Sequence, residues 1–364
     1  MSKAFLGILI NDSLWKGIQK RNMGHEKLEF YQAAGRKYHL TPCYFRLQDI
    51  SVARRTTTAF INQNGRWIKR QLPLPQVIHN RAILHTKQAY QKIKQLSKKH
   101  RIFNLWNRYS KFYISHLLGQ NEAFLSYLPT TVLFTPQAIE EFKVCYPSFL
   151  LKPDKGTVGM GIIKLDKIND SLWKLRYRKG KQVEVRLIHG NQLVSKLKPL
   201  VGAEKYLIQQ TIPLATYQGS PFDIRVSVQK GMTGDWQITG MVAKVAKRGH
   251  FLSNVAQGGR VVALEQIIRS YSNLSIEQVI SDLSRIALAI TSYLDIRLPH
   301  VADIGYDFGI DRQGHPYFIE MNSRDQRYSF AKANRVDLWK KTYENPVGYA
   351  RYLLDRKEGE KGGT

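Results

Sequence analysis

The spacing of hydrophobic and polar residues predicts a small α/β unit at the start of the chain. Residues 4–10 are almost all apolar and predict a short buried strand, and a helix-compatible stretch follows from Asp12 to about Gly35. Strands at 56–61 and 67–72 flank Asn64-Gly65, a dipeptide that favours a tight hairpin turn. With a further strand at 77–78, these elements predict an N-terminal α/β domain over residues 1–103.

The rest of the chain alternates short helices with strands. Helices are predicted at 86–101, 107–118, from Asn121, and at 136–142, while residues 128–132 stop a helix and open a strand. From a strand at 148–152 to Asn322 the pattern is strand-rich, and one long helix at 275–294 interrupts it. We expect a second domain over residues 104–355 and a frayed tail at 356–364.

The composition excludes several classes of protein. Of the 364 residues 43% are hydrophobic, which excludes a disordered or collagen-like chain. Only Cys43 and Cys145 occur, without a CxxC or a Cys/His cluster, so neither a disulfide framework nor a zinc site is expected. No apolar run resembles a secretory signal or approaches 18 residues. The sequence therefore predicts a cytoplasmic protein without a transmembrane segment.

The charge of the chain is strongly positive. There are 56 Lys and Arg residues against 28 Asp and Glu, a net charge of +28, which favours an anionic partner. General solubility is the alternative explanation. The basic clusters are 92–101, where a solvated helix face is favoured over a nucleic-acid patch, and 176–186, where Glu184 is the only acid.

A glycine-rich loop lies between two predicted strands in residues 149–164. Rossmann and Walker loops run from a strand into a helix, so neither pattern is present. A glycine hairpin can instead place backbone N–H groups over phosphates. Lys152, at the end of the first strand, could supply a charge to a phosphate oxygen, although an ordinary turn explains the loop equally well.

A predicted antiparallel hairpin over residues 304–322 brings acidic residues together. If Asp311 pairs with Pro316, Asp307 lies opposite Glu320, and period-two alternation puts Asn322 on the same face. Facing carboxylates are destabilising unless a cation lies between them, and an all-oxygen site suits Mg²⁺. The alternative is a solvent-exposed acidic face.

The predicted strand 222–228 has polar residues on one face only. Asp223, Arg225 and Ser227 alternate with apolar residues, which makes Arg225 a candidate anion-binding residue. A structural Asp-Arg pair on a sheet face explains the pattern equally well.

These segments together resemble a known family. The order LLKPDKGTVGMGI, YLIQQTI, FDIRVSV and SNVAQGG, followed by an Asp and an E-x-N motif, is similar to the ATP-grasp superfamily, and within it to the YheC/YheD-type endospore coat-associated proteins. The resemblance covers about residues 104–330. It implies an ATP-grasp fold of two α+β subdomains that grip ATP, preceded by an N-terminal α/β domain, with a lid subdomain at about 145–207.

The resemblance also implies a set of binding residues. Lys111 and Lys152 match the two lysines that contact ATP phosphates, and Asp307, Glu320 and Asn322 match the ligands of Mg²⁺, with Mn²⁺ as the alternative metal. Further nucleotide contacts are implied in the lid loop, the inter-domain segment and the SNVAQGG segment: Lys155, Gly156, Gly159, Gly161, Gln209, Gln210, Thr211, Ile212 and Asn254.

Catalytic roles are implied for Lys152, Arg225 and Lys244, with Arg225 facing a phosphate or substrate. Two positions depart from the family pattern. Many ATP-grasp enzymes have Glu where Gln209 or Gln210 stands, and Arg is commoner at the position of Lys244. The second departure leaves open whether Lys244, Lys247 or Arg248 faces the transferred phosphate.

The implied activity is an ATP- and Mg²⁺-dependent ligase that phosphorylates a carboxylate and couples the acyl phosphate to an amine or similar nucleophile. A kinase-like phosphotransferase is an alternative, although no HRD-x4-N catalytic loop precedes Asp307. A non-catalytic, basic spore-coat or nucleic-acid-associated protein is another alternative. The intact Asp307, Glu320, Asn322 and Lys152 disfavour it.

The sequence leaves the partners broadly defined. They are ATP, an unidentified carboxylate and an unidentified nucleophile, with an acidic peptide or polymer favoured over nucleic acid. The family resemblance adds an association with spores to the cytoplasmic expectation. Arg324, Arg327 and Tyr328 are candidate acceptor contacts, and ordinary surface charge is an equal alternative. The oligomeric state is not determined.

Overall fold

The computed structural model describes residues 4–156, 159–180 and 182–356. Within these ranges the chain forms three β-sheets, each with helices packed on it. The helices of the described chain are α1 (Asp12–Gln19), α2 (Leu28–Lys37), α3 (Lys87–Leu96), α4 (Lys111–Gly119), α5 (Pro136–Cys145), α6 (Leu193–Val201), α7 (Leu264–Ile268), α8 (Ile276–Asp295), α9 (Tyr328–Lys332) and α10 (Val336–Asp355).

The first sheet is built by the N-terminal part of the chain. Its strands are β1 (Ala4–Leu9), β2 (Leu40–Phe45), β3 (Ile50–Ser51), β4 (Thr56–Gln63), β5 (Arg66–Pro73), β6 (Val77–Asn80) and β7 (Arg101–Phe103). β1 pairs in parallel with β2 and β6, and β6 with β7, whereas β3, β4 and β5 are joined antiparallel. The predicted α/β character is confirmed. Asn64 and Gly65 form the expected hairpin turn with φ of 49° and 84°.

Two of the predicted helices in the first third of the chain need correction. The helix-compatible stretch from Asp12 to Gly35 is two helices, because Arg21 and Gly24 take left-handed backbone conformations between α1 and α2. The helix predicted at 107–118 begins only at Lys111, where Ser110 accepts a hydrogen bond from the Tyr113 N–H at 3.0 Å. A 3₁₀ helix, Glu122–Tyr127, follows as the helix predicted from Asn121.

The second sheet is antiparallel and follows the order β12-β11-β10-β9-β13-β8. Its strands are β8 (Thr131–Leu133), β9 (Ser148–Pro153), β10 (Ile163–Lys167), β11 (Leu172–Lys179), β12 (Gln182–His189) and β13 (Tyr206–Gln210). α5 and α6 pack on one face around Trp173 and Phe149. The expectation that residues between the strand at 148–152 and the helix at 275–294 form only strands is wrong, because α6 lies among them. α6 has only nine residues and contains Pro199, so its apolar residues show little helical periodicity.

The third sheet follows the order β17-β16-β15-β18-β19, with β14 paired to β15. Its strands are β14 (Thr216–Tyr217), β15 (Ser220–Lys230), β16 (Trp236–Val245), β17 (Arg260–Val262), β18 (Asp303–Ile310) and β19 (Pro316–Asn322). α8, the predicted long helix, packs its apolar stripe on one face of this sheet. α7 is a second helix that the sequence analysis missed.

The β18–β19 hairpin places Asp307 opposite Glu320, as predicted. The predicted pairing of Asp311 with Pro316 is wrong, because Ile310 is the residue opposite Pro316. A bulge at Ile319 shifts the register by one residue before Glu320 is reached. The bulge therefore restores the alignment of the two carboxylates.

The C-terminal helix α10 returns to the first sheet. Tyr343, Val347 and Ala350 are buried there in one core with Leu6 and Ile8 of β1. The Gln229 amide on β15 donates to the Thr342 carbonyl at 2.9 Å, so α10 also contacts the third sheet. In the described ranges, no helix combines the length and apolar character that crossing a membrane requires. Residues 357–364, most of the tail expected to fray, lie outside the described residues.

Candidate active site

Two connected clefts lie where the second and third sheets meet. The larger, the main cleft, has a volume of about 860 Å³ and is walled by β9, β10 and β13 on one side and by β15, β16 and β18 on the other. The smaller, the side cleft, has about 260 Å³ and opens toward α4 and the segment after β19. Lys111, Lys152, Gln209 and Glu320 line both clefts, which therefore meet at these side chains.

Most residues singled out from the sequence line these clefts. Lys155 and Asn322 line the side cleft, whereas Gly161 and Arg225 are absent from the described walls of both. The others lie on the wall of the main cleft: Lys111, Lys152, Gly156, Gly159, Gln209, Gln210, Thr211, Ile212, Lys244, Asn254, Asp307 and Glu320.

Arg225 lies behind the cleft and holds two buried carboxylates. It donates from Nε to Asp307 Oδ1 at 2.7 Å and from Nη2 to Asp307 Oδ2 at 3.1 Å. A third bond joins Nη1 to Asp325 Oδ1 at 3.0 Å. This placement differs from the phosphate-facing one that the resemblance implies, because these two acids already engage the fork of the guanidinium.

Lys244 is the cation that the structure brings to this part of the cleft. Its Nζ lies 2.7 Å from Asp223 Oδ1 and 2.9 Å from Asp307 Oδ1. Lys247 and Arg248 are exposed and do not line the main cleft. Among the three cations considered, Lys244 is therefore placed to influence the site.

The buried charges around Asp307 stabilise one another. Burial disfavours the ionised form of Asp307, but Arg225 and Lys244 outweigh it, so the pKa of Asp307 lies well below its ordinary value. Burial also opposes the charge of Lys244, yet Asp223 and Asp307 raise the pKa of this amine. Asp307 thus stays ionised near neutral pH.

Asp307, Glu320 and Asn322 converge at the mouth of the hairpin. The Asn322 Nδ2 lies 3.4 Å from Asp307 Oδ2 and 3.4 Å from Glu320 Oε1, so a single donor is placed between the two carboxylates. No group of three His, Cys, Asp or Glu side chains able to hold a metal occurs in the described ranges. Two carboxylates and one amide fit Mg²⁺, which often takes its remaining ligands from water and phosphate oxygens.

The start of α4 is fixed against the strand that precedes the glycine loop. Asp154 Oδ1 accepts hydrogen bonds from the Ser110 hydroxyl at 2.7 Å and from the Phe112 N–H at 3.0 Å. Lys111, between these two residues, is thereby held at the junction of the clefts. Its Nζ donates to the Gly156 carbonyl at 2.7 Å and lies 3.7 Å from Glu320 Oε2.

Lys152 is buried and projects from β9. Its Nζ donates to Gln209 Oε1, and Gln209 Nε2 in turn donates to Thr131 Oγ1 at 2.9 Å. Burial lowers the pKa of Lys152 to about 8, with repulsion from Lys111 adding to the effect and Glu320 opposing it. This amine can therefore change its charge within an accessible pH range.

The glycine loop requires glycine at two described positions. Gly159 and Gly161 have φ of 68° and 75°, in the left-handed region. A Cβ on Gly161 would lie 2.7 Å from Pro153 Cγ and 2.8 Å from the Tyr206 hydroxyl, closer than the packing allows. Thr157 and Val158, at the centre of the predicted loop, lie outside the described residues.

The segment after β13 forms one edge of the main cleft. The Thr211 N–H donates to the Ser148 carbonyl at 3.2 Å, and Gln210 Oε1 accepts from the Thr130 N–H at 3.3 Å. Apolar side chains that include Leu150 and Ile162 line the neighbouring wall. These hydrogen bonds hold the segment in place, and the apolar wall beside it suits a flat aromatic base.

Several residues of the site were missed by sequence reasoning. Asp325 holds Arg225, Asp154 holds the start of α4, and Ser253 donates to Asp223. The partner of Asp325 lies 100 residues away in the chain, so no local pattern reveals the pair. Asp325 follows Asn322 by three residues, and this proximity to the E-x-N motif is a signal that could have identified it.

Comparison with curated proteins gives a distant relative. The endospore coat-associated protein YheD of Bacillus subtilis (strain 168) is 27% identical over 315 residues, which cover 81% of this chain and 66% of YheD. The chain thus spans slightly less than two thirds of the length of that relative.

Solved structures show the same fold at low sequence identity. D-alanyl-alanine synthetase A from Vibrio cholerae O1 biovar eltor is 14% identical with a TM-score of 0.54, and the match covers 97% of each chain. The ATP-grasp ligase PsnB, complexed with a phosphomimetic variant of minimal precursor, Mg and ADP, is 16% identical with a TM-score of 0.53, covering 98% of this chain and all of PsnB.

The architecture of the clefts and these neighbours agree with the family comparison. Residues 99–353 match the family model described as YheC/D like ATP-grasp. That match spans more than half of the chain and includes both walls of the main cleft. The chain belongs to the YheC/D-like ATP-grasp family.

Proposed function

We propose that this protein is an ATP- and Mg²⁺-dependent ligase that activates a carboxylate as an acyl phosphate and couples it to an amine or similar nucleophile. In this reaction a carboxylate oxygen attacks the γ-phosphorus, the bond to the β-phosphate oxygen breaks, and ADP leaves. The amine nitrogen then attacks the acyl carbon, loses a proton and expels phosphate. Family membership supports the use of the nucleotide; the ligase step is the proposal.

The observation that carries this proposal is the opposition of charges at the junction of the two clefts. Lys111 and Lys152 contribute cations there, while Glu320, with Asp307 beside it, contributes carboxylates. A triphosphate fits between them, because its oxygens attract the lysines and its bound metal attracts the carboxylates. When bound, Mg²⁺ would neutralise phosphate charge and polarise the γ-phosphoryl group.

The side chains around the junction have distinct proposed roles. Lys111 and Lys152 would bind phosphate oxygens, and Glu320 and Asn322 would hold the metal. Arg225 is a positioning residue that fixes Asp307 through two hydrogen bonds, and Lys244 keeps Asp307 ionised. No nucleophilic side chain is needed, since catalysis depends on orientation and on charge stabilisation.

The rest of the main cleft would hold the nucleoside and cover the phosphates. We assign the adenine to the edge formed by Gln209, Gln210, Thr211 and Ile212, whose apolar neighbours suit a flat base. Asn254 and the glycine loop, with Lys155, Gly156, Gly159 and Gly161, would lie over the phosphates. Mn²⁺ has the same preference for oxygen ligands and is the alternative metal.

An acidic peptide or polymer fits the outer part of the second sheet. Three cations of β11 face three apolar residues of the edge strand β12 in register: Lys174 with Leu187, Arg176 with Val185, and Arg178 with Val183. Leu187 is 63% exposed and Val185 53% exposed. Arg176 is already paired with Asp166 at 2.7 Å. An acidic peptide that lies across this face would therefore pair its carboxylates with Lys174 and Arg178 and pack against the exposed apolar side chains of β12.

Hydroxylamine trapping tests the ligase assignment. With ATP and Mg²⁺ and a panel of amino acids, glutamyl peptides and polyglutamate, the true carboxylate substrate should yield a hydroxamate and ADP in equal amounts, because hydroxylamine intercepts an acyl phosphate. Colorimetric detection of the hydroxamate and an ADP assay measure both products. Transfer of phosphate to a substrate hydroxyl without hydroxamate would favour the kinase-like alternative.

Substitution Glu320→Gln tests the metal assignment. Removal of one carboxylate should abolish turnover and weaken Mg²⁺-dependent ADP binding by about tenfold or more. A loss of this size is typical even when the replaced residue only orients a metal ligand. Calorimetric titration with ADP, with and without Mg²⁺, measures the effect. The exposed residue change Glu122→Gln is the matched control. An unaltered Mg²⁺ dependence in Glu320→Gln, with the fold intact by circular dichroism, would contradict the assignment.

The lowered pKa of Lys152 predicts a pH-dependent affinity for nucleotide. The amine carries its charge below a pKa of about 8 and loses it above, so ADP affinity should fall as the pH rises through 8, by up to about tenfold per unit. Fluorescence titration between pH 6.5 and 9.5 measures this slope, with the pH values chosen to bracket the pKa. Lys152→Met should bind weakly without the slope, and Lys98→Met should retain it. If the pH dependence persists in Lys152→Met, another group causes it and the prediction for Lys152 is wrong.

Binding of acidic polymers tests the partner assignment. Polyglutamate should bind at low salt and dissociate as salt rises, because exposed charges are screened beyond about 8 Å at physiological ionic strength. Fluorescence anisotropy at two salt concentrations measures this binding. Lys174→Glu should weaken it, and Lys98→Glu, in the exposed turn that follows α3 and outside this sheet, should have less effect. Stronger binding to RNA than to polyglutamate would favour the nucleic-acid alternative; binding to neither would assign the charge to solubility.

A further inference from the structure

A third cleft, the N-terminal cleft, lies at the end of β1 in the first sheet. It has a volume of about 500 Å³ and is lined by Ile8 and Ile10, by the loop 22–26 and by residues of the segment after β19. Arg324 and Gln326 line this cleft and also line the side cleft. These two residues therefore form the boundary between the N-terminal cleft and the proposed site of chemistry.

Two of the three arginines that line the N-terminal cleft have acidic partners. Arg81 Nη2 lies 3.1 Å from Glu26 Oε1, and Arg81 Nη1 lies 3.3 Å from Asp303 Oδ2. Arg327 Nη2 lies 2.7 Å from Asp303 Oδ2, and its Nη1 donates to the Tyr31 hydroxyl at 2.8 Å. Glu26 and Asp303 thus neutralise Arg81 and Arg327.

Arg324, the third arginine, has no such partner. It is half-buried, its Nε is buried without a hydrogen-bond partner, and it forms no ion pair within 4.0 Å in the described part of the chain. Burial and repulsion from Arg81, which outweigh attraction to Glu26, lower the pKa of Arg324 to about 10. At neutral pH the boundary between the clefts therefore carries one guanidinium charge without a matching acid.

A partly buried cation without a counter-charge is unfavourable unless an anion is supplied from outside. A carboxylate matches the planar fork of a guanidinium with two parallel hydrogen bonds. The volume of the N-terminal cleft admits a small molecule or the end of a longer one. Tyr31, Tyr328 and Tyr343 add aromatic wall to the same space.

We propose that the N-terminal cleft binds, through Arg324, a carboxylate group carried by the acceptor, that is, by the amine or similar nucleophile. The rest of the acceptor would extend into the side cleft toward Lys111 and Glu320. This inference rests on the proposed ligase function and names a substrate class for it. The nucleotide phosphates are a poorer match for Arg324, since this residue is absent from the described wall of the main cleft.

The test uses the full chain and glutarate as the carboxylate probe. Glutarate should raise the melting temperature of the wild-type protein above that in glutaramide, which has the same carbon skeleton without charge, and above that in NaCl of equal ionic strength. Arg324→Gln should lose this shift, and Arg324→Lys, which keeps the charge but lacks the fork, should bind glutarate roughly tenfold more weakly. Arg66→Gln, an exposed change of the same net charge, should retain the full shift.

The melting temperature without any ligand shows whether Arg324 serves to bind a ligand or to stabilise the fold. Arg324→Gln should melt at or above the temperature of the wild-type protein, because the substitution removes a partly buried charge that has no ion-pair partner. A glutarate shift that survives in Arg324→Gln, the absence of any such shift in the wild-type protein, or a large loss of stability in Arg324→Gln would each overturn the proposal. An equal, Arg324-dependent shift with inorganic phosphate would overturn the assignment to a carboxylate.

Stabilisation by ADP with Mg²⁺, measured in the same experiment, keeps this test separate from that of the proposed function. Arg324→Gln should retain the ADP shift, since Arg324 lies outside the main cleft. If ADP with Mg²⁺ does not raise the melting temperature of the wild-type protein, the proposed function is contradicted, whatever the result with glutarate. A normal ADP shift without an Arg324-dependent glutarate shift would contradict only the carboxylate site.

Discussion

The proposed site depends on Asp307 being held as a carboxylate between two buried cations. Arg225 binds both oxygens of Asp307, and Lys244 approaches one of them from β16. Burial alone would favour a protonated Asp307, so the cations are needed to keep the charge. Asp223 and Asp325 complete the network and fix the two cations in turn. Replacing Arg225 would leave Asp325 buried without its cation, and replacing Lys244 would do the same to Asp223, which is strongly destabilising.

This network also explains how the third sheet supports the rest of the site. Because Asp307 is fixed on β18, the adjacent strand β19 presents Glu320 directly opposite it and Asn322 Nδ2 at 3.4 Å from its carboxylate. Lys111 then connects Glu320 to the glycine loop through the Gly156 carbonyl. The second and third sheets therefore meet at this site through the contacts of Lys111.

Local motifs in the sequence predicted much of this arrangement. The alternation of Asp223, Arg225 and Ser227 predicted a polar strand face, and the hairpin pattern predicted Asp307 opposite Glu320. The bulge at Ile319 could not be predicted, because its register depends on pairing across the whole hairpin. Asp325 and the return of α10 to the first sheet depend on contacts between distant parts of the chain, which leave no local periodicity. The break between α1 and α2 depends on backbone conformations at Arg21 and Gly24 that the apolar pattern does not record.

A crystal structure with a non-hydrolysable ATP analogue and Mg²⁺ tests the central claim most directly. The account predicts the adenine against residues 209–212, the phosphates between Lys111 and Lys152, and the metal within about 2.1 Å of an oxygen of Glu320. Arg225 should remain bound to Asp307. Density for the nucleotide outside the main cleft, or phosphates without contact to these lysines and a metal away from Glu320, would contradict the account.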